Sequence, residues 1–433
     1  MRWLSLYRVS VINSTRSNPE IANTVENVAH QDSDRGNPLV DALADWLVSQ
    51  ALRDSSLEEV FEGTCKRLYA AGIPVARSHI TFRVLHPLYQ SQALDWQRDR
   101  SVELKSYVHG VTMDSWHKSP LYHMLEHNVP DLRRHLTGDS AILDFEFLEE
   151  LSEQGFTDYL AFLVRFDDNI DPDRANGIIG SWSTDRATGF TNADIRSLKR
   201  IEQRLAVAFK IKIQSKLTEN ILSAYLGPGA GKQVLNGQIK RGDGETIRAV
   251  IWYSDMRDST RLADSMPAHS FLQALNQYFE STAGAVLRYG GDVLRFIGDA
   301  VLAIFPIRDT QEVASSCQHA LQAAWDAQDA LAVVNAKRIG RGEDSLDFGL
   351  GLHVGEVLFG NIGVPERVEF SVVGPAANEV ARLESLTKTL QERVLVSESF
   401  AANLCVDWVP AGQFKLRGVG DPVSVFAPPV KKI

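Results

Sequence analysis

The sequence is short of cysteine, has no long apolar run and carries no surplus of positive charge. Its three cysteines, Cys65, Cys317 and Cys405, are far apart, odd in number and without a CxxC pair. A disulfide scaffold and a zinc ribbon are excluded, and a reducing compartment is expected. No apolar stretch approaches the ~18–20 residues that cross a membrane. The opening run from Met1 is broken by Arg8 and has no signal-peptide core, so the sequon Asn13-Ser14-Thr15 is read as chance. With 55 acidic against 45 basic residues, the formal charge of −10 argues against a surface for nucleic-acid backbones or anionic lipid. The expectation is a cytoplasmic protein with no nucleic-acid partner and no membrane span. What is present is ordinary for a soluble globular chain: 44% hydrophobic and 23% charged residues, over 433 positions that suit two or three domains.

Residues 1–36 are polar and are expected to form a mobile arm. Apolar residues then recur at helical spacing from Leu39 to Leu47 and again from Leu57 to Ala71, where Gly72-Ile73-Pro74 ends the second helix. Alternating runs at His79–Val84, Tyr159–Phe166 and Gly177–Ser183 read as strands, which makes 37–190 an α+β domain. Phe190 to Leu226 reads as one long helix, with Thr191 or Asn192 as cap and Ile195, Leu198, Ile201, Leu205 and Phe209 on one face. Gly227-Pro228-Gly229 stops it, and 191–245 becomes a connecting helix and linker. Such a helix either pairs with a second copy of itself or lies flat on its own domain. From 246 to 433, a strand ending at Asp255, a helix from about Arg261 to Tyr289, a hairpin over Asp292–Phe305, a helix from Thr310 to Lys337 and further strands describe an antiparallel-rich sheet covered by helices.

Two carboxylates in this last region stand where strands stop. Asp255 precedes the polar turn Met256-Arg257-Asp258-Ser259-Thr260, and Asp299 sits in an apolar hairpin beside Gly298. A carboxylate in such surroundings is costly unless paired, hydrogen-bonded or bound to a cation. Two together suit divalent metals that handle phosphates, although each alone also fits a cap or a turn. The turn after Asp255 offers unsatisfied backbone N–H groups at a helix start. Asn378 and Arg382 lie one turn apart on a helix face, where Arg can fork onto phosphate and Asn can bond a sugar. The alternative is a surface helix with Arg382 paired to Glu379 or Glu384.

Taken together, Tyr253-Ser254-Asp255-Met256-Arg257-Asp258-Ser259-Thr260, the stretch from Gly290-Gly291-Asp292 to Gly298-Asp299-Ala300, and Val372-Val373-Gly374-Pro375-Ala376-Ala377-Asn378-Glu379-Val380-Ala381-Arg382 resemble the three signatures of class III nucleotidyl cyclases, in the right order. The resemblance covers about 246–433. It implies a ferredoxin-like catalytic domain within an α+β protein. It implies that Asp255 and Asp299, with Met256 beside them, hold two Mg2+ ions per site, Mn2+ substituting. It further implies that Asn378 orients a ribose, that Arg382 neutralises charge on an α-phosphate, and that Ser259 and Thr260 meet the triphosphate. Arg417 takes the place of a phosphate-binding lysine. The expected activity is conversion of ATP to cyclic AMP and pyrophosphate at the interface of a homodimer.

Base selection departs from the usual pattern. Adenylate-type members carry Lys where this chain has Arg295 and Asp or Thr where it has Ser371; guanylate-type members carry Glu and Cys. Arg295 can donate to adenine N1 and Ser371 can accept from the 6-amino group, so ATP is the expected substrate, with a guanylate cyclase or a silent nucleotide-binding module as alternatives. Residues 227–233 look like a P-loop but have Gln233 where Ser or Thr is required. Histidines cluster between His79 and His135, and His123 with His127 forms an i, i+4 pair, read as ordinary histidines for want of a second pair or a Cys. The N-terminal half resembles a GAF or PAS-like sensory module through Gly189-Phe190-Thr191 before the long helix, which implies a small-molecule or protein regulator there.

Overall fold

A computed structural model describes residues 37–111, 114–415 and 422–429. The expected arm at 1–36 therefore lies outside the described residues. The N-terminal domain opens with helices α1 (Pro38–Ala51) and α2 (Leu57–Ala70). Asn37 caps the first; the second begins in a reciprocal Ser56–Glu59 capping box. Strands β1 (Arg77–Arg83), β2 (Tyr89–Gln97) and β3 (Glu103–Val108), short helices α3 (Asp114–His117) and α4 (Pro120–Glu126), β4 (Asp131–His135), α5 (Glu146–Glu153), β5 (Asp158–Arg165) and β6 (Gly177–Thr184) follow. The strands form one antiparallel sheet in the order β3-β2-β1-β6-β5-β4.

Helix α6 (Asn192–Leu226) starts where expected, in a capping box between Thr191 and Asp194. Alternation along the strands sends Ile80, Phe82, Leu94, Trp96, Phe162 and Trp182 to one face, where they pack with α1, α2 and the buried Leu198, Ile201, Leu205 and Phe209 of α6. The opposite face packs on α4 and α5. Gly227, at φ +83°, ends α6, as its sequence predicts. The Gly-rich segment beyond it is not an open hinge: Pro228–Leu235 forms helix α7. Pro228 suits the first helical position, and Leu226, Ala230 and Val234 gain apolar burial against the second sheet.

That sheet is built from β7 (Gly244–Met256), β8 (Asp292–Ile297), β9 (Ala300–Ile307), β10 (Phe348–Val364), β11 (Arg367–Val373), β12 (Val394–Ser397), β13 (Val409–Phe414) and β14 (Val423–Ala427). Its order is β13-β14-β12-β10-β7-β9-β8, with β11 on β10, and β10–β12 is a parallel pair. Between these strands run α8 (Ser259–Ser265), α9 (Ala268–Arg288), α10 (Val313–Gly340), α11 (Pro375–Leu390) and α12 (Glu398–Ala401). The single helix expected over Arg261–Tyr289 is two helices, because Pro267 lacks an N–H and holds Met266 extended. Helices α9 and α10 cover one face of the sheet around Trp252, Tyr278 and Phe348; α7 and α11 cover the other. The protein is α+β throughout. Among the described residues no helix is long and apolar enough to cross a membrane.

Candidate nucleotide and metal site

Asp255 lies near the C-terminal end of the central strand β7, opposite Ala300 of β9 and Gly349 of β10. Asp299 stands in the tight turn between β8 and β9, which Gly298 makes possible at φ +63°. The Asp299 carbonyl accepts from Met256 N–H at 3.4 Å, so the turn is stitched to the strand that carries Asp255. Two residues far apart in sequence are thereby gathered at one end of the sheet. Burial, and then the Asp299 charge, push the Asp255 carboxyl above its usual range, while Lys388 Nζ at 3.1 Å from Asp255 Oδ2 pulls it back. Glu384, one turn before Lys388 on α11, is pushed up to about 7 by burial and by the Asp255 charge.

Acids crowded in this way are what a divalent cation relieves. Among the described residues no group of three or more His, Cys, Asp and Glu is arranged to hold a metal. Asp255 and Asp299 instead offer a partial oxygen set, of the kind magnesium uses when substrate phosphates and water complete its shell. The Met256 side chain is buried in the core, which leaves only its backbone carbonyl for such a role.

After Met256 the chain turns through Asp258 in the left-handed region (φ +55°) and enters α8 at Ser259 and Thr260. Arg257 anchors this turn: its N–H donates to Asp347 O at 2.8 Å, and its guanidinium donates to Glu392 O at 2.6 Å and Thr387 O at 3.3 Å. Helix α11 can lie this close to the sheet because β10 presents glycine to it. A Cβ at Gly351 would stand 2.6 Å from Val380 O, and one at Gly349 would meet Glu384 Oε1 and Thr387 Oγ1.

Asn378 is exposed and Arg382 half-buried on α11. Neither side chain has a hydrogen-bond or ion-pair partner among the described residues, Asp255 and Asp299 included. The alternative pairing of Arg382 is not formed: Glu379 lies by His353, and Glu384 accepts from Thr387. Lys388 marks the part of α11 beside Asp255, and Asn378 is about 15 Å of helical rise away from it. Arg295 of β8 forms an ion pair with Glu369 of β11 (2.8 Å), and the buried Ser371 lies two residues further along that strand. Arg417 lies outside the described residues. The P-loop-like segment is the N-cap Gly227 and most of α7, and the rings of His123 and His127 lie 4.2 Å apart with no third metal-binding side chain beside them among the described residues.

Sequence reasoning overlooked Lys388 and Glu369, gave Arg257 no role of its own and considered Glu384 only as a partner of Arg382. No spacing rule links Lys388 to Asp255 or Glu369 to Arg295, since each pairing is made by tertiary packing. The glycines of Gly349-Leu350-Gly351 are the one local sign that something lies against β10.

Residues 245–427 match the adenylate and guanylate cyclase catalytic domain family. Over 192 residues the chain is 33% identical to an adenylate cyclase of Anabaena cylindrica, covering 43% of this chain and 36% of that one. Over 189 residues it is 31% identical to an uncharacterised protein of Mycobacterium tuberculosis, covering 43% and 32%. The chain thus spans about a third of the length of these relatives. The solved structure of an adenylyl cyclase from P. aeruginosa aligns with 44% of this chain and 97% of its own at 23% identity and a TM-score of 0.41. That of a guanylyl cyclase aligns with 43% and 93% at 27% identity and 0.38. Residues 245–427 are a class III nucleotidyl cyclase catalytic domain, preceded by a six-stranded antiparallel α+β domain.

Proposed function

We propose that the chain is an adenylate cyclase that works as a homodimer, each site combining Asp255 and Asp299 of one copy with Asn378 and Arg382 of the other. The observation that carries this reading is the division of labour within one chain: the carboxylates meet at the sheet end, while Asn378 and Arg382 stand on α11 without partners. Exposed apolar side chains beside the site support it. Phe296 and Ile297, just before Asp299, are 52% and 41% exposed, a surface a second copy would cover. Val207, Ile211 and Tyr225 leave an exposed apolar line on α6 that suits pairing of two such helices.

Two Mg2+ ions, or Mn2+, held by Asp255, Asp299 and the Met256 carbonyl would activate the ribose 3′-hydroxyl and offset triphosphate charge. Asn378 orients the ribose. The 3′-oxygen attacks the α-phosphorus, pyrophosphate leaves opposite, and Arg382 neutralises the charge that builds on the α-phosphate oxygens. The backbone at Ser259 and Thr260 receives the triphosphate, with Arg417 as a further cation. Arg295 donates to adenine N1, and Ser371 accepts from the 6-amino group. The N-terminal domain is the regulatory part, GAF or PAS-like in role, with α6 as its link.

A guanylate cyclase is the second reading, favoured by Glu369 on Arg295, because a carboxylate there can accept from guanine N1–H. Measuring kcat/KM for ATP and GTP on the full chain with Mg2+ and with Mn2+ separates the readings. The proposal expects cyclic AMP and an ATP preference of at least about ten-fold. A GTP preference establishes the second reading, and no cyclic product with either metal leaves a silent nucleotide-binding module.

A further inference from the structure

The N-terminal sheet turns one face to α1, α2 and α6; its other face packs only in part on α4 and α5. Between that face and α3, α4 and α5 lies a cavity of about 490 Å³, the size of pockets that enclose small organic molecules. Trp116, Leu125, Phe147 and Leu163 give it an apolar wall, and the residues of β1 that alternate onto this face, Arg77, His79, Thr81 and Arg83, give it a polar floor.

At one end of the floor the strand register aligns Arg77 and Tyr159, which line the cavity, with Ser183 between them on the same face of the sheet. Arg77 of β1 is opposite Ser183 of β6, and Ser183 is opposite Tyr159 of β5. Arg77 Nη1, Ser183 Oγ and Tyr159 Oη are all buried and have no hydrogen-bond partner among the described residues. Ser181 lies beside Tyr159 Oη but outside hydrogen-bonding geometry. Buried polar groups almost always carry partners, and the two unpaired groups that line the cavity, Arg77 Nη1 and Tyr159 Oη, call for one acceptor that serves both.

The charge around them has the same sense. Asp95 accepts from Arg77 Nη2 (3.1 Å), His79 Nδ1 (2.8 Å) and Lys105 Nζ (3.1 Å), so a single carboxylate faces two permanent cations. Arg165 lines the far end, with its Nη2 also buried and unpartnered. The acids of α5 that reach the cavity, Glu146 and Glu150, are exposed at its rim.

We infer that this cavity binds a small amphiphilic carboxylate. Its carboxylate accepts from Arg77 and Tyr159, and its apolar body lies against Trp116, Phe147 and Leu163. Strand β6 puts the ligand in touch with the rest of the chain. Between Ser181 and Ser183 it turns Trp182 to the other face, where Nε1 donates to Glu202 of α6 at 2.9 Å.

Calorimetric titration of the full chain with 1-naphthylacetate and with decanoate, each beside its neutral primary amide, tests the inference independently of catalysis. At least one acid should bind once per chain, at least about ten-fold more tightly than its amide. Arg77→Met should remove that difference. Because Arg77 also holds Asp95, a second variant, Leu163→Trp, fills the cavity from the apolar side and should abolish binding without touching the polar row. Failure of both acids to bind, equal binding of acid and amide, or unchanged binding in Leu163→Trp overturns the inference.

Discussion

Glu202 is a carboxylic acid deep in the N-terminal core, accepting from Trp182 Nε1, and burial pushes it up to about 7 from an ordinary 4.5 despite that hydrogen bond. Between those two values the folded chain binds a proton that the unfolded chain has released. The stability this group confers is therefore complete below about pH 4.5 and lost as pH rises through about 7, by up to about 3 kcal/mol. Glu202→Gln keeps the acceptor and removes the titration, so denaturant unfolding at pH 5 and pH 8 should show a smaller difference in the variant than in the parent. Lys388 acts on Asp255 in another way, as a cation already resting on the carboxylate that, in the proposed reaction, a metal ion would have to share. The ammonium is half exposed, so its hold is modest. Lys388→Met should tighten Mn2+ binding by roughly two- to five-fold in a calorimetric titration; weaker binding would mean that the lysine helps to shape the site rather than competing for it.

Helix α11 illustrates how a site depends on the packing of one element. Its position rests on Gly349 and Gly351 of β10, and a methyl group at Gly351 would collide with backbone atoms of Val380 and Glu384. Gly351→Ala should cost about 1–3 kcal/mol and lower kcat together with Tm, since Asn378 and Arg382 move with the helix. Elements with one dominant local signal were legible in the sequence. The Thr191 cap and the three-to-four spacing after it define α6, and the apolar run before Asp255 defines β7. Strands β2, β3 and β4 were not legible, because one face of that sheet lines a cavity and carries Ser91, Lys105 and Arg134 among its residues, which blurs the alternation. Helix α7 was hidden by its glycines, whose poor propensity is outweighed by the burial of Ala230 and Val234. Of the candidate residues, Asp255, Asp299, Asn378 and Arg382 could be selected because three ordered motifs carry them, each position alone fitting a cap, a turn or a surface helix as well. Lys388, Glu369 and the row of Arg77, Ser183 and Tyr159 could not, since only the register of distant strands and the seating of α11 bring them to their neighbours.

Across the molecule, the 35-residue α6 spans about 50 Å and is held at both ends. Leu198 to Phe209 pack into the N-terminal core; Leu226, with Ala230 and Val234 of α7, packs into the cyclase sheet near Leu294 of β8. A change in the N-terminal cavity can therefore reach β8, which carries Arg295 and leads into Asp299, through continuous packed structure. The pairing of two chains remains the claim on which the catalytic account turns. Mixing Asp255→Ala with Arg382→Ala chains tests it most directly, because a mixed dimer rebuilds one complete site from its two intact halves. Each variant alone should be almost inactive, and an equal mixture allowed to exchange subunits should recover about a quarter of the parent activity. A mixture no more active than the separate variants, under conditions where exchange is shown to occur, would contradict shared sites.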